Sequence, residues 1–194
     1  VDVARWRKAK RADLLAMRAA LPVTELQAAA RGIAAGLDRV LEDLLPDVRG
    51  KVISGFWPIK SEPDLRFWLA ALAERGAITA LPVVETRFAP PVLRPWKPGD
   101  PMVRGDWNIP EPGTTETVQP DLALAPLVGW DRQGYRLGYG GGYFDRTLAA
   151  RKPLAVGIGL SAARLDSIFP QPHDIPLDRI VTEDGVQEIR PPVG

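Results

Sequence analysis

DLALAPLVGWDRQGYRLGYGGGYFDRTLA, residues 121–149, decides the fold. Its first ten residues, 121–130, are apolar almost throughout and read as a strand buried on both faces, the pattern of a central strand in a parallel sheet. A helix is expected over 141–150. Between them stand Gly138, Gly140, Gly141 and Gly142. A buried strand, a glycine turn and a helix make one β–α unit. Outward from this unit the alternation recurs. KVISGFW (51–57), AITALPVV (77–84), PVLRPWK (91–97), LAVGIGLS (154–161) and RIVTE (179–183) read as strands. Helices are expected over 3–20, 24–45 and 64–75, the second opened by a Thr24–Gln27 capping box, with Gly32 and Gly36 allowing close packing. The third has Asp64 at its start and Gly76 just past its end. The stretch 98–120, rich in proline and glycine, reads mostly as loop. The class is therefore α/β, a mainly parallel sheet covered by helices, as a single domain over 1–194.

Composition narrows the functions. The chain has 194 residues and no cysteine, which excludes disulfides, cysteine–zinc sites and thiol catalysis. No apolar run approaches the ~18 residues of a membrane span, and the first residues lack the apolar core of a signal peptide, so a cytoplasmic location is expected. A net charge of +1 gives no global field to draw nucleic acid or membrane. Charge is concentrated instead in residues 1–20, where Arg5, Arg7, Lys8, Lys10, Arg11 and Arg18 face only Asp2 and Asp13. At helical spacing Val3, Trp6, Leu14, Met17 and Leu21 form an apolar stripe, and Arg7, Arg11 and Arg18 an adjacent one. That arginine stripe is either a solvated face or a phosphate-binding rim of the core.

The glycines give the chemistry. Ligands of open α/β sheets bind outside the carboxyl ends of the strands. Glycines let a phosphate approach backbone N–H groups, and the following helix N-terminus favours an anion. Arg136 can add a bidentate cationic contact, and Asp145, in the first helical turn, a carboxylate oxygen for Mg²⁺. The segment is not a Walker A loop, since the terminal Lys-Ser/Thr is missing. Nor is it a Rossmann fingerprint, since Tyr143 stands at the third glycine. A ligand-free tight turn is the bland alternative, and Arg136 and Asp145 on either side of the glycines favour a phosphate site.

The segment resembles the signature of 5-formyltetrahydrofolate cyclo-ligases, P-x-x-[AG]-[FW]-D-x-x-G-x-R-L-G-x-G-x-G-[YF]-[YF]-D. Pro126, Gly129, Trp130, Asp131, Gly134, Arg136, Leu137, Gly138, Gly140, Gly142, Tyr143, Phe144 and Asp145 meet it. RAAL (18–21), FWPIKSEPD (56–64), WNIPEP (107–112) and HDIPLDRIVTE (173–183) resemble further family blocks in the same order, so the likeness spans nearly the whole chain. The resemblance implies a three-layer α/β/α sandwich. It also implies ATP- and Mg²⁺-dependent conversion of 5-formyltetrahydrofolate to 5,10-methenyltetrahydrofolate, with release of ADP and phosphate.

Carried over residue by residue, Arg7, Lys8 and Arg11 resemble the family's N-terminal phosphate-binding residues. Arg136, Leu137, Gly138, Tyr139, Gly140, Gly141, Gly142, Tyr143 and Phe144 resemble the ATP loop, with Arg136 as the catalytic cation. Trp57, Glu62 and residues 139–143 resemble the folate contacts, and Asp145 and Asp178 the metal ligands. Some members carry Arg at the position of Tyr139 and Lys at that of Gly141, which shifts phosphate charge here onto Arg136, the first helix and Mg²⁺. Trp57 is the folate-stacking choice, with Trp107 and Trp130 as core or stacking residues. His173 is expected as a structural loop partner. A monomer is expected, without nucleic-acid or membrane partners. The competing readings are a phosphate-binding sugar isomerase or acyl-CoA-transferase-like enzyme, a non-catalytic folate- or nucleotide-binding regulator, and a nucleic-acid binder using residues 5–18.

Overall fold

The computed structural model describes residues 1–190. Among them the helices are α1 (Val3–Ala19), α2 (Val23–Leu44), α3 (Arg66–Glu74) and α4 (Tyr143–Arg151). The strands, in chain order, are β1 (Val52–Ser54), β2 (Ile78–Val83), β3 (Val92–Pro95), β4 (Met102–Arg104), β5 (Pro110–Pro112), β6 (Leu122–Pro126), β7 (Gly129–Asp131), β8 (Arg136–Leu137), β9 (Leu154–Ile158), β10 (Arg164–Leu165), β11 (Arg179–Thr182) and β12 (Gly185–Gln187). A seven-stranded sheet runs in the order β12-β11-β9-β6-β1-β2-β3. Its five inner strands are parallel, and the edge strands β3 and β12 are antiparallel to their neighbours.

Strand alternation sorts the core into two layers. Leu122 and Leu124 of β6, Val156 and Ile158 of β9, and Val181 of β11 pack against α2 and α3. Ala125, Ala155 and Ile180 share the other cluster with Leu14 of α1 and Leu148 of α4. Helices therefore cover both faces, the three-layer arrangement. Each fully buried leucine here contributes about 1.5–3 kcal/mol. Gly32 and Gly36 of α2 are close-approach positions: a Cβ on either would lie 2.6 Å from Glu183 O or Val181 Cγ1.

Four local details differ from the sequence expectation. The expected strand 121–130 is broken: Pro126 has no N–H to extend the ladder. After Leu127 N donates to Ile158 O (2.9 Å), the chain leaves the sheet. Residues 129–131 become β7, which pairs with β8 and β10 in a separate three-stranded sheet. The expected loop 98–120 contains the hairpin β4–β5. Pro110 and Pro112 are tolerated there because β5 is an edge strand. α2 has no capping box: it starts at Val23 behind Pro22 with no side-chain cap, so Thr24 lies inside the first turn. Finally, α3 is shorter than 64–75. Asp64 Oδ1 accepts from Arg66 N at 3.1 Å, and Gly76 follows the helix at φ 92°.

Candidate active site

The carboxyl ends of β1, β2 and β6 open into a crevice of about 370 Å³. Ser54, Gly55, Pro82 and Pro126 form its floor, and the glycine loop closes one side. That loop holds its shape through backbone only glycine adopts readily: Gly140 has φ 98° and Gly142 φ 68°. Gly142 is the N-cap of α4 and supplies no side-chain cap, and the start of this helix borders the crevice.

Three guanidinium groups line the crevice on the side of this loop. Arg136, carried by β8, has a side chain only 9% exposed; its Nη2 lies 3.4 Å from Asp145 Oδ2 and its plane covers the Phe144 ring at 4.9 Å. Its buried Nε has no protein partner. A Cβ at Gly138 would collide with Arg136 Nη1, so the glycine is what makes room for the cation. Burial opposes the charge of Arg136, Asp145 and Asp174 support it, and Arg11 opposes it further. Arg11 reaches in from α1 and donates to Gly138 O at 2.7 Å. Burial and then Arg7 pull its pKa down, against Asp174. Arg7 is held by Asp174 Oδ2 (2.6 Å), Ile168 O and Phe169 O (3.1 Å each). Three arginines thus face two carboxylates, and one buried guanidinium donor is unspent.

The opposite wall is a carboxylate. Glu62 is 7% exposed; its Oε1 accepts from Ile59 N at 2.9 Å and its Oε2 from Tyr139 OH at 3.0 Å. Burial raises the Glu62 pKa against the lowering effects of the Ile59 N–H, Tyr139, Arg18 and Lys60. It does not cap α3, whose N-cap is Leu65 without a side-chain cap; Asp64 Oδ1 accepts from Arg66 N just ahead of the helix. Trp57 lines the crevice, half-buried, edge-on to Trp96 at 6.1 Å and under the Arg66 guanidinium at 4.4 Å.

The structure therefore brings together Arg7, Arg11, Trp57, Glu62, Arg136, Gly138 and residues 139–145. Other expected residues fall elsewhere. Lys8 is exposed and does not line the crevice. Leu137 is 1% exposed and its side chain belongs to the core, since β8 alternation points it away from Arg136. Asp178 sits at the amino ends of β9 and β11, where its Oδ2 accepts from Ala155 N at 2.7 Å. It is not brought to Asp145. Trp130 is a core residue bonded to Leu160 O at 3.0 Å, and the Trp107 side chain lies outside the described residues. His173 stands at the rim, 3.6 Å from Asp174 Oδ1. Asp174 itself was not expected in the site; its one sequence signal is the place beside His173 in a proline-bounded loop. The arginine stripe of α1 is not a solvated face: Arg18, its third member, is only 4% exposed.

The chain is an α/β protein with a glycine loop, a cluster of arginines and a buried carboxylate gathered at the carboxyl ends of its parallel strands. Residues 3–183 match the 5-formyltetrahydrofolate cyclo-ligase family, and the chain belongs to it. It is 32% identical over 155 residues to the 5-formyltetrahydrofolate cyclo-ligase of Mycolicibacterium smegmatis, covering 74% of this chain and 79% of that one. With the Escherichia coli cyclo-ligase it shares 30% identity over 152 residues, 74% and 84% of the two chains. The structure of Aquifex aeolicus 5,10-methenyltetrahydrofolate synthetase matches at a TM-score of 0.77 and 30% identity, over 97% of this chain and 95% of that one. The Mycoplasma pneumoniae synthetase matches at 0.71 and 26%, over 91% and 98%. The chain is thus an enzyme of a carbon–nitrogen-bond-forming ligase family in folate one-carbon metabolism. Among the described residues no helix is long and apolar enough to cross a membrane.

Proposed function

We propose that this enzyme converts 5-formyltetrahydrofolate to 5,10-methenyltetrahydrofolate with hydrolysis of ATP to ADP and phosphate. The formyl group on N5 is amide-like, and its oxygen cannot leave as hydroxide when N10 attacks. Transfer of the γ-phosphoryl group to that oxygen gives an imidate phosphate. N10 then attacks the formyl carbon and gives up its proton to water, the five-membered ring closes, and the C–O bond breaks to release phosphate. Such chemistry asks the protein for alignment and charge neutralisation rather than a nucleophile–base pair. The observation that carries the reading is the juxtaposition in one crevice of an under-satisfied guanidinium cluster and a buried carboxylate. Arg136, Arg11 and the glycine amides suit phosphoryl oxygens. Each Glu62 oxygen has one donor from the protein, which leaves an acceptor direction on each for two adjacent N–H groups of a pterin.

Asp145 suits Mg²⁺ carried on the nucleotide. Among the described residues no group of three or more acidic or histidine side chains forms an all-protein cage. One carboxylate, completed by phosphate oxygens and water, is the usual magnesium arrangement. When bound, the ion neutralises charge on the phosphates. The test is the absorbance of methenyltetrahydrofolate formed from 5-formyltetrahydrofolate, with and without ATP and Mg²⁺. Formation that depends on both is expected. No formation, or formation without ATP, would refute the reading.

A further inference from the structure

Tyr139 joins the two halves of the crevice. The residue is 38% exposed, yet its hydroxyl reaches the buried Arg18 and Glu62. The hydroxyl accepts from Arg18 Nη2 at 2.7 Å and donates to Glu62 Oε2 at 3.0 Å. Arg18 is in turn fixed by three elements. It arises from α1, and its Nε donates to Lys60 O at 2.9 Å and its Nη1 to Leu127 O at 3.4 Å. A guanidinium that is 4% exposed and anchored on two carbonyls has no freedom to follow the phenol, so the phenol is held by it. The neighbouring Gly140, at φ 98°, fixes the loop that presents Tyr139.

We propose that Tyr139 is a positioning residue for the folate: held by Arg18, its hydroxyl fixes the Glu62 carboxylate in the orientation that receives the pterin. The inference rests on the functional reading above and adds to it a chain of command, from α1 through the glycine loop to the folate carboxylate. One carboxylate oxygen is pinned by the chain's own backbone at Ile59 and the other by the loop that also handles phosphate. The pterin and the γ-phosphate are thereby held in one frame, which an in-line transfer to the formyl oxygen requires.

The charged and titratable groups facing Glu62 are Arg18 of α1, Lys60 of its own loop and Tyr139 of the glycine loop. Burial, then Glu62, pushes the Tyr139 pKa up, so the phenol remains a donor. That donor favours the carboxylate form of Glu62 and lowers its pKa against burial. If the ionised form binds the pterin, binding is lost as pH falls through the Glu62 pKa, and loss of the phenol moves that limb to higher pH.

The experiment is Tyr139→Phe, with steady-state kinetics against both substrates across pH and 5-formyltetrahydrofolate binding followed by tryptophan fluorescence. The expected result is a rise of about tenfold in the KM and Kd for 5-formyltetrahydrofolate, the scale of a lost hydrogen bond to a charged group. The KM for ATP stays within about twofold, and the acid limb of kcat/KM for the folate shifts upward. Arg18→Lys keeps the charge but cannot make the three bonds, and should shift the limb the same way by less. An unshifted limb with unchanged folate affinity, or an equal rise in both KM values, would mean that Tyr139 only shapes the glycine loop and overturns the proposal. A wild-type protein that neither binds nor converts 5-formyltetrahydrofolate would sink the functional reading itself. A wild type that converts it beside an unaltered Tyr139→Phe sinks only the role of Tyr139.

Discussion

At the amino ends of the central strands, Asp121 Oδ2 accepts from Val52 N at 2.8 Å and Asp178 Oδ2 from Ala155 N at 2.7 Å. At the carboxyl ends, Asp145 lies 3.4 Å from a buried arginine, and Glu62 sits 7% exposed between a backbone amide and a phenol. The same chemical group serves two purposes. At one end each carboxylate binds the amide of a neighbouring parallel strand and holds register, and neither makes an ion pair among the described residues. At the other end the carboxylates are gathered with guanidinium groups, and the Arg136 Nε is left without a protein partner. A buried donor without a partner costs about 1–3 kcal/mol. The difference teaches that an acidic residue in this fold is read by the end of the sheet it occupies.

Substitutions at the two ends should therefore separate cleanly into kinetic and stability effects. The largest loss is expected for Arg136→Ala, about 2–4 kcal/mol of transition-state stabilisation, or roughly 30- to 1000-fold in kcat/KM. An effect under about threefold would remove Arg136 from the phosphoryl site. Asp145→Asn should lose about tenfold or more in rate and regain part of it as Mg²⁺ is raised, because an amide oxygen is a weaker ligand for a hard cation. Rates that ignore Mg²⁺ in the variant would break its assignment. Glu62→Gln keeps the shape but replaces one acceptor by a donor. The KM for 5-formyltetrahydrofolate should rise about tenfold with a nearly constant Tm; a lower Tm with unchanged folate kinetics would make Glu62 structural. The smallest kinetic effect belongs to the amino end. Asp178→Asn should cost about 1 kcal/mol in a denaturation experiment and leave kcat, both KM values and the Mg²⁺ dependence alone. A changed Mg²⁺ dependence would return Asp178 to the metal and contradict the division between the ends.

The division also explains what could be read from the residues alone. The glycine loop was legible because its signals are local: four glycines between Arg136 and Asp145, after a buried strand. The α1 stripe of Arg7, Arg11 and Arg18 was legible as a stripe, since helical periodicity puts the three together. Its partners were not, because Asp174 and Tyr139 lie more than 100 residues away in the chain. Asp178 resembled a ligand by its place in a family block, and only the β9–β11 register shows its carboxylate engaged with Ala155. The break after Pro126 was masked by the continuous apolar run 122–130, whose residues apart from Pro126 are buried whether they belong to the large sheet or the small one. The β4–β5 hairpin was hidden by the prolines and glycines that ordinarily mark loops.

The most direct test of a phosphorylated formyl oxygen follows that oxygen. 5-Formyltetrahydrofolate carrying isotopically heavy oxygen in its formyl group is turned over with ATP and Mg²⁺, and the released inorganic phosphate is analysed by mass spectrometry. Phosphoryl transfer to the formyl oxygen, followed by loss of phosphate on ring closure, leaves the heavy oxygen in phosphate, one atom for each methenyltetrahydrofolate formed. Methenyltetrahydrofolate formed beside unlabelled phosphate, with the heavy oxygen lost to water, would contradict the mechanism and the functional reading of the crevice built on it.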